Sequence, residues 1–204
     1  MFWKNLEVGD LISIKDTSTI LSSIVGKKVD KYDLEIKDKL HIENTVKEWV
    51  FYKIGERGRE GYLCINICDQ LFDIKLYKEA DFPKNNRKGL IDAGILWVFA
   101  EPENPDNFEY NSLKYTCDFT LNDLKYEQKM SEMDGNCTEA SNTSNVTLLA
   151  TISEYVATTK TTEYPEALFL EIGNIDSNEG GLINLIHGKT LLVSDVDVFQ
   201  KNKK

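Results

Sequence analysis

Apolar and polar residues alternate along most of this chain, in short runs separated by glycine, proline, asparagine or aspartate. Because side chains two positions apart lie on the same face of a strand, this alternation indicates strands with a buried face. Together with the β-branched and aromatic content of the runs, it predicts a mainly β protein with twelve strands. The predicted strands are DLISIKD (10–16), DKYDLEI (30–36), EWVFYKI (48–54), GYLCINIC (61–68), LFDIKLY (71–77), GILWVFA (94–100), LKYTCDF (113–119), LKYEQKM (124–130), VTLLATISEYVATT (146–159), ALFLEIG (167–173), GLINLI (181–186) and TLLVSDVDVF (190–199).

One segment, TSTILSSIVGKK, has helical spacing instead. Thr17 or Ser18 can cap its start, and Gly26 suits a left-handed end. We therefore expect one short helix near residues 17–25, which covers one end of a small barrel. Four apolar residues share one face of this helix: Ile20, Leu21, Ile24 and Val25.

Nearly the same six letters occur twice, as TVKEWV from Thr45 and as TISEYV from Thr151. Strands reuse apolar alternation, so one such match means little, but further matches follow in the same order. This order predicts an internal duplication. Trp49 and Tyr155 hold equivalent positions, and we expect each to fill the same core socket of its own copy. The further matches are YLCINI (62–67) with ALFLEI (167–172), LFDIKL (71–76) with LINLIH (182–187), and KYDLEI (31–36) with KYEQKM (125–130).

The predicted fold is therefore mainly β, with two duplicated small β-barrel or sandwich-like units and one short helix. Residues 1–100 form the first unit and residues 113–204 the second, with residues 101–112 as a connector rich in Pro and Asn. The polar stretch 134–145 absorbs the difference in spacing between the copies, and its composition predicts a flexible insertion. The two units can have separate cores or one continuous core.

A Tyr-containing strand, then Glu-Trp-Val or Glu-Tyr-Val, a turn and a Leu-x-Ile-like strand follow one another in both halves. This order resembles a bacterial family of uncharacterised β-rich domains, in which a W-x-E-Y-like strand precedes a W-L-like strand, sometimes in tandem copies. In this chain Glu precedes the aromatic residue, which departs from the W-x-E-Y order. The resemblance implies a structural module with no assigned chemistry.

The charge balance argues against nucleic acid as a partner. Among 204 residues there are 34 acidic and 24 basic ones, a net charge of −10, whereas affinity for nucleic acid comes largely from neutralising phosphates. No apolar run approaches the roughly 18–20 residues that cross a bilayer, so we expect no membrane insertion. The first residues show no charged-then-apolar leader, which favours a cytoplasmic protein.

Catalytic residues are not indicated. His187, Ser194 and Asp195 could form a triad on paper, but HGKTLLVSDVDV has the pattern of a turn and a strand, without a nucleophile elbow. His41 lies in a polar stretch, which suggests a surface position. Asp195 and Asp197 are two positions apart on one predicted strand. We interpret them as an acidic outer face of that strand rather than as a pair of catalytic carboxylates.

Metal and phosphate sites are not indicated either. Cys64 and Cys68 lie four apart on a strand, roughly 13 Å from each other, so we expect buried free thiols. GERGREG (55–61) has strands on both sides and is predicted to be a hairpin tip. DSNEGG (176–181) begins like a calcium loop, but its twelfth position is His187 rather than the bidentate Glu.

We therefore expect no catalytic, cofactor-binding or metal-binding residue. The leading hypothesis is a non-enzymatic protein-binding or adaptor module, whose partner is another protein held at a sheet face or hairpin edge. One alternative is an acidic immunity-type inhibitor of a basic partner. The other is a small-molecule-binding or hydrolytic β-barrel with a pocket near His187 or Asp195.

Overall fold

The architecture of the chain is given by a computed structural model. It describes residues 3–16, 18–56, 58–69, 71–81, 87–92, 106–130, 149–159, 161, 163–173 and 182–200. The strands are β1 (Leu11–Lys15), β2 (Lys31–Glu35), β3 (Asp38–Glu43), β4 (Lys47–Glu56), β5 (Arg59–Cys68), β6 (Leu71–Glu79), β7 (Asn107–Tyr110), β8 (Leu113–Met130), β9 (Leu149–Ala157), β10 (Glu166–Gly173), β11 (Leu182–Leu191) and β12 (Val196–Phe199). The helices are α1 (Thr19–Val25), α2 (Arg87–Asp92) and single 3-10 turns at Trp3–Asn5 and Val193–Asp195.

Eight antiparallel strands form a closed ring. Their order is β3, β4, β5, β6, β11, β10, β9 and β8, and β3 pairs back onto β8. Closure leaves these strands without an open side, because each one has a hydrogen-bonded neighbour on both sides. β7 pairs with the first residues of β8, from Leu113 to Thr116. A separate three-stranded sheet has the order β12, β1, β2.

The ring consists of two four-stranded meanders, β3 to β6 and β8 to β11, which pair with each other through β6 and β11 and through β3 and β8. Strands of both predicted units thus share one ring. The strand order is the one that a duplicated meander would have, but the register differs between the copies. Trp49 lies opposite Asn66, whereas Tyr155 lies opposite Ala167, the sequence counterpart of Tyr62. The duplication stays a prediction.

Trp49 and Tyr155 do not occupy the same socket, and this expectation was wrong. Trp49 packs inside the ring with Phe51 and Leu168, whereas Tyr155 packs outside it with Phe108. The reason is the strict alternation of side chains along a strand, since a shift of one position moves a residue to the other face. The equivalent positions of the two six-letter matches therefore lie on opposite faces of the ring.

Three hydrophobic clusters hold the fold together. One fills the ring interior. A second lies between the outer face of β4, β5 and β6 and a cover made of the small sheet and α1. The third lies between the outer face of β9, β10 and β11 and a cover that includes β7 and α2. Most strands of the ring therefore pack against a hydrophobic cluster on both faces.

The predicted helix is confirmed as α1. Ser18 caps its start by accepting a hydrogen bond from the Ile20 amide, and Gly26 ends it with a φ of 76°. Its apolar residues pack on the outer face of β4 to β6 rather than over one end of a barrel. Asp16 helps to anchor this start: it accepts hydrogen bonds from the Ser18 amide (2.9 Å) and from Lys189 Nζ (2.6 Å).

Several strand boundaries differ from the prediction. LKYTCDF and LKYEQKM form one long strand, β8, whose pairing with β9 shifts register twice. TLLVSDVDVF divides among the end of β11, a 3-10 turn and β12. β3 and β7 were not predicted, and β7 lies inside the expected connector 101–112. GILWVFA (94–100) and the insertion 134–145 lie outside the described residues. None of the helices in the described ranges is long and apolar enough to traverse a bilayer.

Candidate functional site

A cluster of charged and polar side chains crosses the interior of the ring. The strand register directs Lys75 of β6, Glu154 of β9 and Glu166 of β10 inward, towards Trp49 of β4 and Thr190 of β11. The main chain of each strand fixes where its side chain enters, so the cluster brings together β4 and β6 of the first meander with β9, β10 and β11 of the second. We call these five residues the interior cluster.

Lys75 lies between the two carboxylates. Its Nζ is 2.6 Å from Glu166 Oε2 and 3.7 Å from Glu154 Oε2. Trp49 Nε1 donates to Glu154 Oε1 (3.0 Å), and Thr190 Oγ1 donates to Glu166 Oε1 (3.0 Å). Glu166 thus has a partner on each oxygen, whereas the second oxygen of Glu154 has, among the described side chains, only the 3.7 Å contact with Lys75.

The electrostatics of the interior cluster favour a charged lysine and a neutral thiol. Burial by itself lowers the pKa of Lys75, but the carboxylates of Glu154 and Glu166 outweigh burial and raise it above its usual value. Cys64 faces Lys75 across β5 and β6, and burial raises the pKa of its thiol well above the ordinary range. Because the thiolate is the reactive form, this shift disfavours reaction at the thiol, and Cys64 packs among the buried residues of the ring interior.

A second feature is a groove beside the small sheet. It has a volume of about 200 Å³. Helix α1 supplies Ile24 and Val25, the hairpin between β4 and β5 supplies Gly55, Glu56 and Arg59, and β2 supplies the long wall from Tyr32 to Glu35. We call it the β2 groove.

β2 is the last strand of its sheet, and one of its edges is not paired with any other strand that the structure describes. Ile36 exchanges main-chain hydrogen bonds with Gly9 and Asp10, and the Asp30 carbonyl accepts from the Asp16 amide (2.9 Å). In an antiparallel pair, alternate residues direct both main-chain groups to the same neighbour. The even-numbered residues of β2 therefore bond to β1. The remaining three direct their amides and carbonyls towards the open edge: Lys31, Asp33 and Glu35.

The charges around the β2 groove are mixed, with a surplus of carboxylates. Glu35 pairs with Lys37 at 2.7 Å. Asp33 and Glu56 have no ion-pair partner among the residues that the structure describes. The guanidinium of Arg59 lies against Gly26, where a Cβ would fall 1.8 Å from Arg59 Nη1, so a side chain at Gly26 would displace it.

His187 does not form a triad with Ser194 and Asp195. It lies on the outer face of β11, stacked on Tyr164 with ring centroids 4.2 Å apart and with Tyr110 edge-on at 5.0 Å. Both of its ring nitrogens are buried and have no hydrogen-bond partner in the described part of the chain, so neither Ser194 nor Asp195 forms a hydrogen bond with it. The prediction of a turn and a strand for HGKTLLVSDVDV was wrong: His187 and Gly188 lie inside β11, Val193–Asp195 form a 3-10 turn, and β12 follows.

The other residues considered in the sequence are dispersed over the molecule. Asp195 lies in a 3-10 turn and Asp197 in β12, where it pairs with Lys31 at 3.7 Å, so they do not share one strand as expected. GERGREG forms the predicted hairpin between β4 and β5. His41 lies on β3, with its Nε2 3.0 Å from Glu48 Oε1, and is partly rather than fully exposed.

The thiol prediction is confirmed in part. Cys64 is a buried free thiol, whereas Cys68 and Cys117 are free and only partly buried. Among the described residues no group of three His, Cys, Asp or Glu side chains is arranged to hold a metal ion. DSNEGG (176–181) and Cys137 lie outside the described residues.

The sequence did not single out the interior cluster or the β2 groove. Lys75 lies in the run LFDIKLY, where Ile74 and Leu76 belong to an outer core and Lys75 to the ring interior. Alternation marks one face as apolar but does not say that the polar face is also enclosed. Ring closure encloses it, and that depends on pairing between distant strands.

Comparison of the chain with protein-family models, with curated proteins and with solved structures finds no match in any of the three.

Proposed function

We propose that this protein is a protein-binding module that takes up an extended segment of a partner as an additional strand beside β2. The observation that carries this proposal is the unpaired edge of β2 along the β2 groove. Strand addition of this kind draws its affinity from main-chain hydrogen bonds and its selectivity from alternate side chains.

The geometry divides the partner's side chains into two rows. One row enters the groove and meets Ile24, Val25 and Tyr32, which favours apolar side chains of moderate size. The other row lies on the outward face beside Asp33 and Glu35, which are exposed. A segment with apolar and basic residues in alternation matches both rows.

Charge complementarity favours a basic partner. Asp33 and Glu56 lack ion pairs with other described residues, and the whole chain carries a net charge of −10. Of the three residues that face the open edge, Asp33 and Glu35 are acidic and Lys31 is basic, so the edge has one more carboxylate than cations. This surplus of carboxylates favours a partner of opposite charge.

The test uses a short labelled peptide of alternating lysine and valine, titrated with the protein and followed by fluorescence anisotropy. We expect the lysine–valine peptide to bind saturably. The affinity of the matching glutamate–valine peptide should be at least about tenfold lower. Asp33→Lys should weaken binding by a similar factor. The matched control is Glu109→Lys, the same kind of charge reversal at an exposed position of β7. It should change the affinity by less than about twofold, because salt near 0.15 M screens charges that are far from the peptide.

A second peptide separates strand addition from charge attraction. Methylation of its alternate amide nitrogens removes the donors that face β2 and leaves every charge in place. This peptide should not bind measurably. Equal binding of the methylated and unmethylated peptides would overturn the proposal, as would amide chemical shift changes that avoid Lys31, Asp33 and Glu35 in the ¹⁵N spectrum of the protein.

A further inference from the structure

The three residues at the open edge of β2 differ in charge and in their surroundings. All three side chains are exposed on the outward face of the small sheet, because the residues between them, Tyr32 and Leu34, pack against the core beneath it. Each has a different neighbour across β1: Lys15 for Lys31, Ser13 for Asp33 and Leu11 for Glu35. A strand added at the open edge places one outward side chain directly beside each of the three.

Lys31 has a cation on its inner side. Lys15 lies directly opposite, and like charges in this arrangement repel each other. Lys31 Nζ is 3.7 Å from Asp197 Oδ2, but these two side chains are 57% and 64% exposed, so the pair contributes little. A carboxylate on the open side of Lys31 therefore meets a cation whose charge is not balanced by its cross-strand neighbour.

Asp33 has the opposite requirement. Its neighbour across β1 is uncharged, and no cation of the described residues forms an ion pair with it. Glu35 differs, because Lys37 already pairs with it at 2.7 Å. Across the groove, Glu56 and Arg59 carry one charge of each sign and favour neither kind of partner residue. The edge thus favours a cation beside Asp33, an anion beside Lys31 and no particular charge beside Glu35.

The neighbouring strands indicate the direction of an added strand. Both pairings of the small sheet, β1 with β2 and β1 with β12, are antiparallel. Antiparallel pairing is slightly more stable per residue than parallel pairing, and it lets one edge residue exchange both main-chain hydrogen bonds with a single partner residue. An antiparallel strand runs along β2 from Glu35 towards Lys31.

We infer that the β2 groove recognises an antiparallel partner strand in which a basic residue is followed, two positions later, by an acidic residue. The basic side chain lies beside Asp33 and the acidic side chain beside Lys31. The residue two positions before the basic one lies beside Glu35 and is uncharged. This order of charges depends on the strand addition proposed above, and it specifies the partner's sequence and direction further.

Two peptides of identical composition test the order of charges. Both are acetylated and amidated, and their sequences are VTVKVEV and VTVEVKV, so that the inward valines stay the same and only the charges exchange places. Each is labelled and titrated with the full chain in about 0.05 M salt, where screening is weak. We expect VTVKVEV to bind at least about fivefold more tightly, because two opposite-charge pairs replace two like-charge pairs. A parallel strand would give the reverse preference.

A charge reversal on the protein tests the position of the acidic residue. The wild type should bind VTVKVEV about threefold more tightly than VTVKVKV, and Lys31→Glu should prefer VTVKVKV instead. Lys31 is exposed, so the fold should tolerate this change. The matched control is Lys114→Glu, at an exposed lysine of β8, which should keep the preference of the wild type.

The outcomes separate the order of charges from strand addition itself. Equal affinities of the two isomeric peptides, or a preference for VTVEVKV, would overturn the inferred order and direction. Strand addition would survive if both peptides still shifted the amide signals of Lys31, Asp33 and Glu35. If neither peptide bound, or if the shifts avoided these residues, strand addition would fail and the order of charges with it. An unchanged preference in Lys31→Glu would refute the position of the acidic residue.

Discussion

His187 is the clearest case of a single side chain whose environment opposes one of its charge states. It is 3% exposed, it packs between Tyr164 and Tyr110, and Lys78 lies directly opposite on β6. Burial, followed by the positive charge of Lys78, lowers the pKa of His187 to about 4. The imidazole is therefore neutral in the folded protein at neutral pH and acts as an aromatic core residue.

This depressed pKa predicts a loss of stability in acid. The unfolded chain binds a proton at the ordinary histidine pKa near 6.5, and the folded chain does so near 4. The contribution of His187 to the free energy of unfolding is therefore fully present above about pH 6.5. It decreases as the pH falls towards 4, by up to about 3 kcal/mol in all. His187→Phe should remove this part of the slope when urea unfolding is measured from pH 7 to pH 4.

Direct titration of the imidazole gives an independent check. The His187 ring proton signals should titrate below pH 5 in the folded protein. A midpoint near 6.5, or a slope of stability with pH that is the same in wild type and His187→Phe, would contradict the assignment.

At the scale of strands, the pairing of β6 with β11 joins the two meanders. Gly188 allows this close approach: a Cβ there would lie 1.9 Å from the Leu76 carbonyl oxygen and 2.8 Å from Tyr77 Cα. Both atoms belong to the main chain, so the neighbour cannot move away as a flexible side chain would. Gly188 lies opposite Tyr77 in this seam.

We expect Gly188→Ala to lower the free energy of unfolding by about 3 kcal/mol or more, since overpacking here forces the seam apart. Gly58→Ala is the matched control: no described atom lies within 4 Å of its added Cβ, and the φ of 84° costs about 1–2 kcal/mol. Chemical denaturation gives both values, and hydrogen exchange should quicken along β6 and β11 in Gly188→Ala alone. Comparable losses in the two variants would show that the seam has room for a side chain.

The helices and strands differ in how well the sequence predicts them. α1 has its own capping residues in Ser18 and Gly26, and its prediction is confirmed. β3 was not predicted, because DKLHIE contains only two inward apolar residues, Leu40 and Ile42, between charged ones. Pairing with its two neighbours in the ring, β4 and β8, holds this segment in an extended conformation that its own sequence does not specify.

At the scale of the molecule, the interior cluster connects strands of both meanders across the ring. Removing its cation should therefore affect the whole fold. Lys75→Met leaves Glu154 and Glu166 facing each other in a largely enclosed space, and breaking a buried ion pair in this way costs about 3–5 kcal/mol.

The matched control is Lys78→Met, on the same strand, whose partner Asp81 is 82% exposed. Surface pairs contribute about 0–1 kcal/mol, so this variant should unfold nearly as the wild type does. Urea unfolding at pH 7 measures both. If Lys75→Met were as stable as Lys78→Met, the ring interior would tolerate an uncompensated pair of carboxylates, and the cluster would not hold the meanders together.

The sequence by itself determined the strand-rich class, the helix α1 with both of its caps, and the hairpin between β4 and β5. These depend on interactions between residues close in the chain, such as alternation, capping and glycine conformation, which the local sequence specifies. Tertiary structure alone decided which faces became interior. The closure of β3 onto β8 encloses Lys75, Glu154 and Glu166, and the position of β2 at the end of its sheet leaves an edge open. Strand pairing between distant segments depends on the packing of the whole chain, and a shift of one residue exchanges inside for outside, as Trp49 and Tyr155 illustrate.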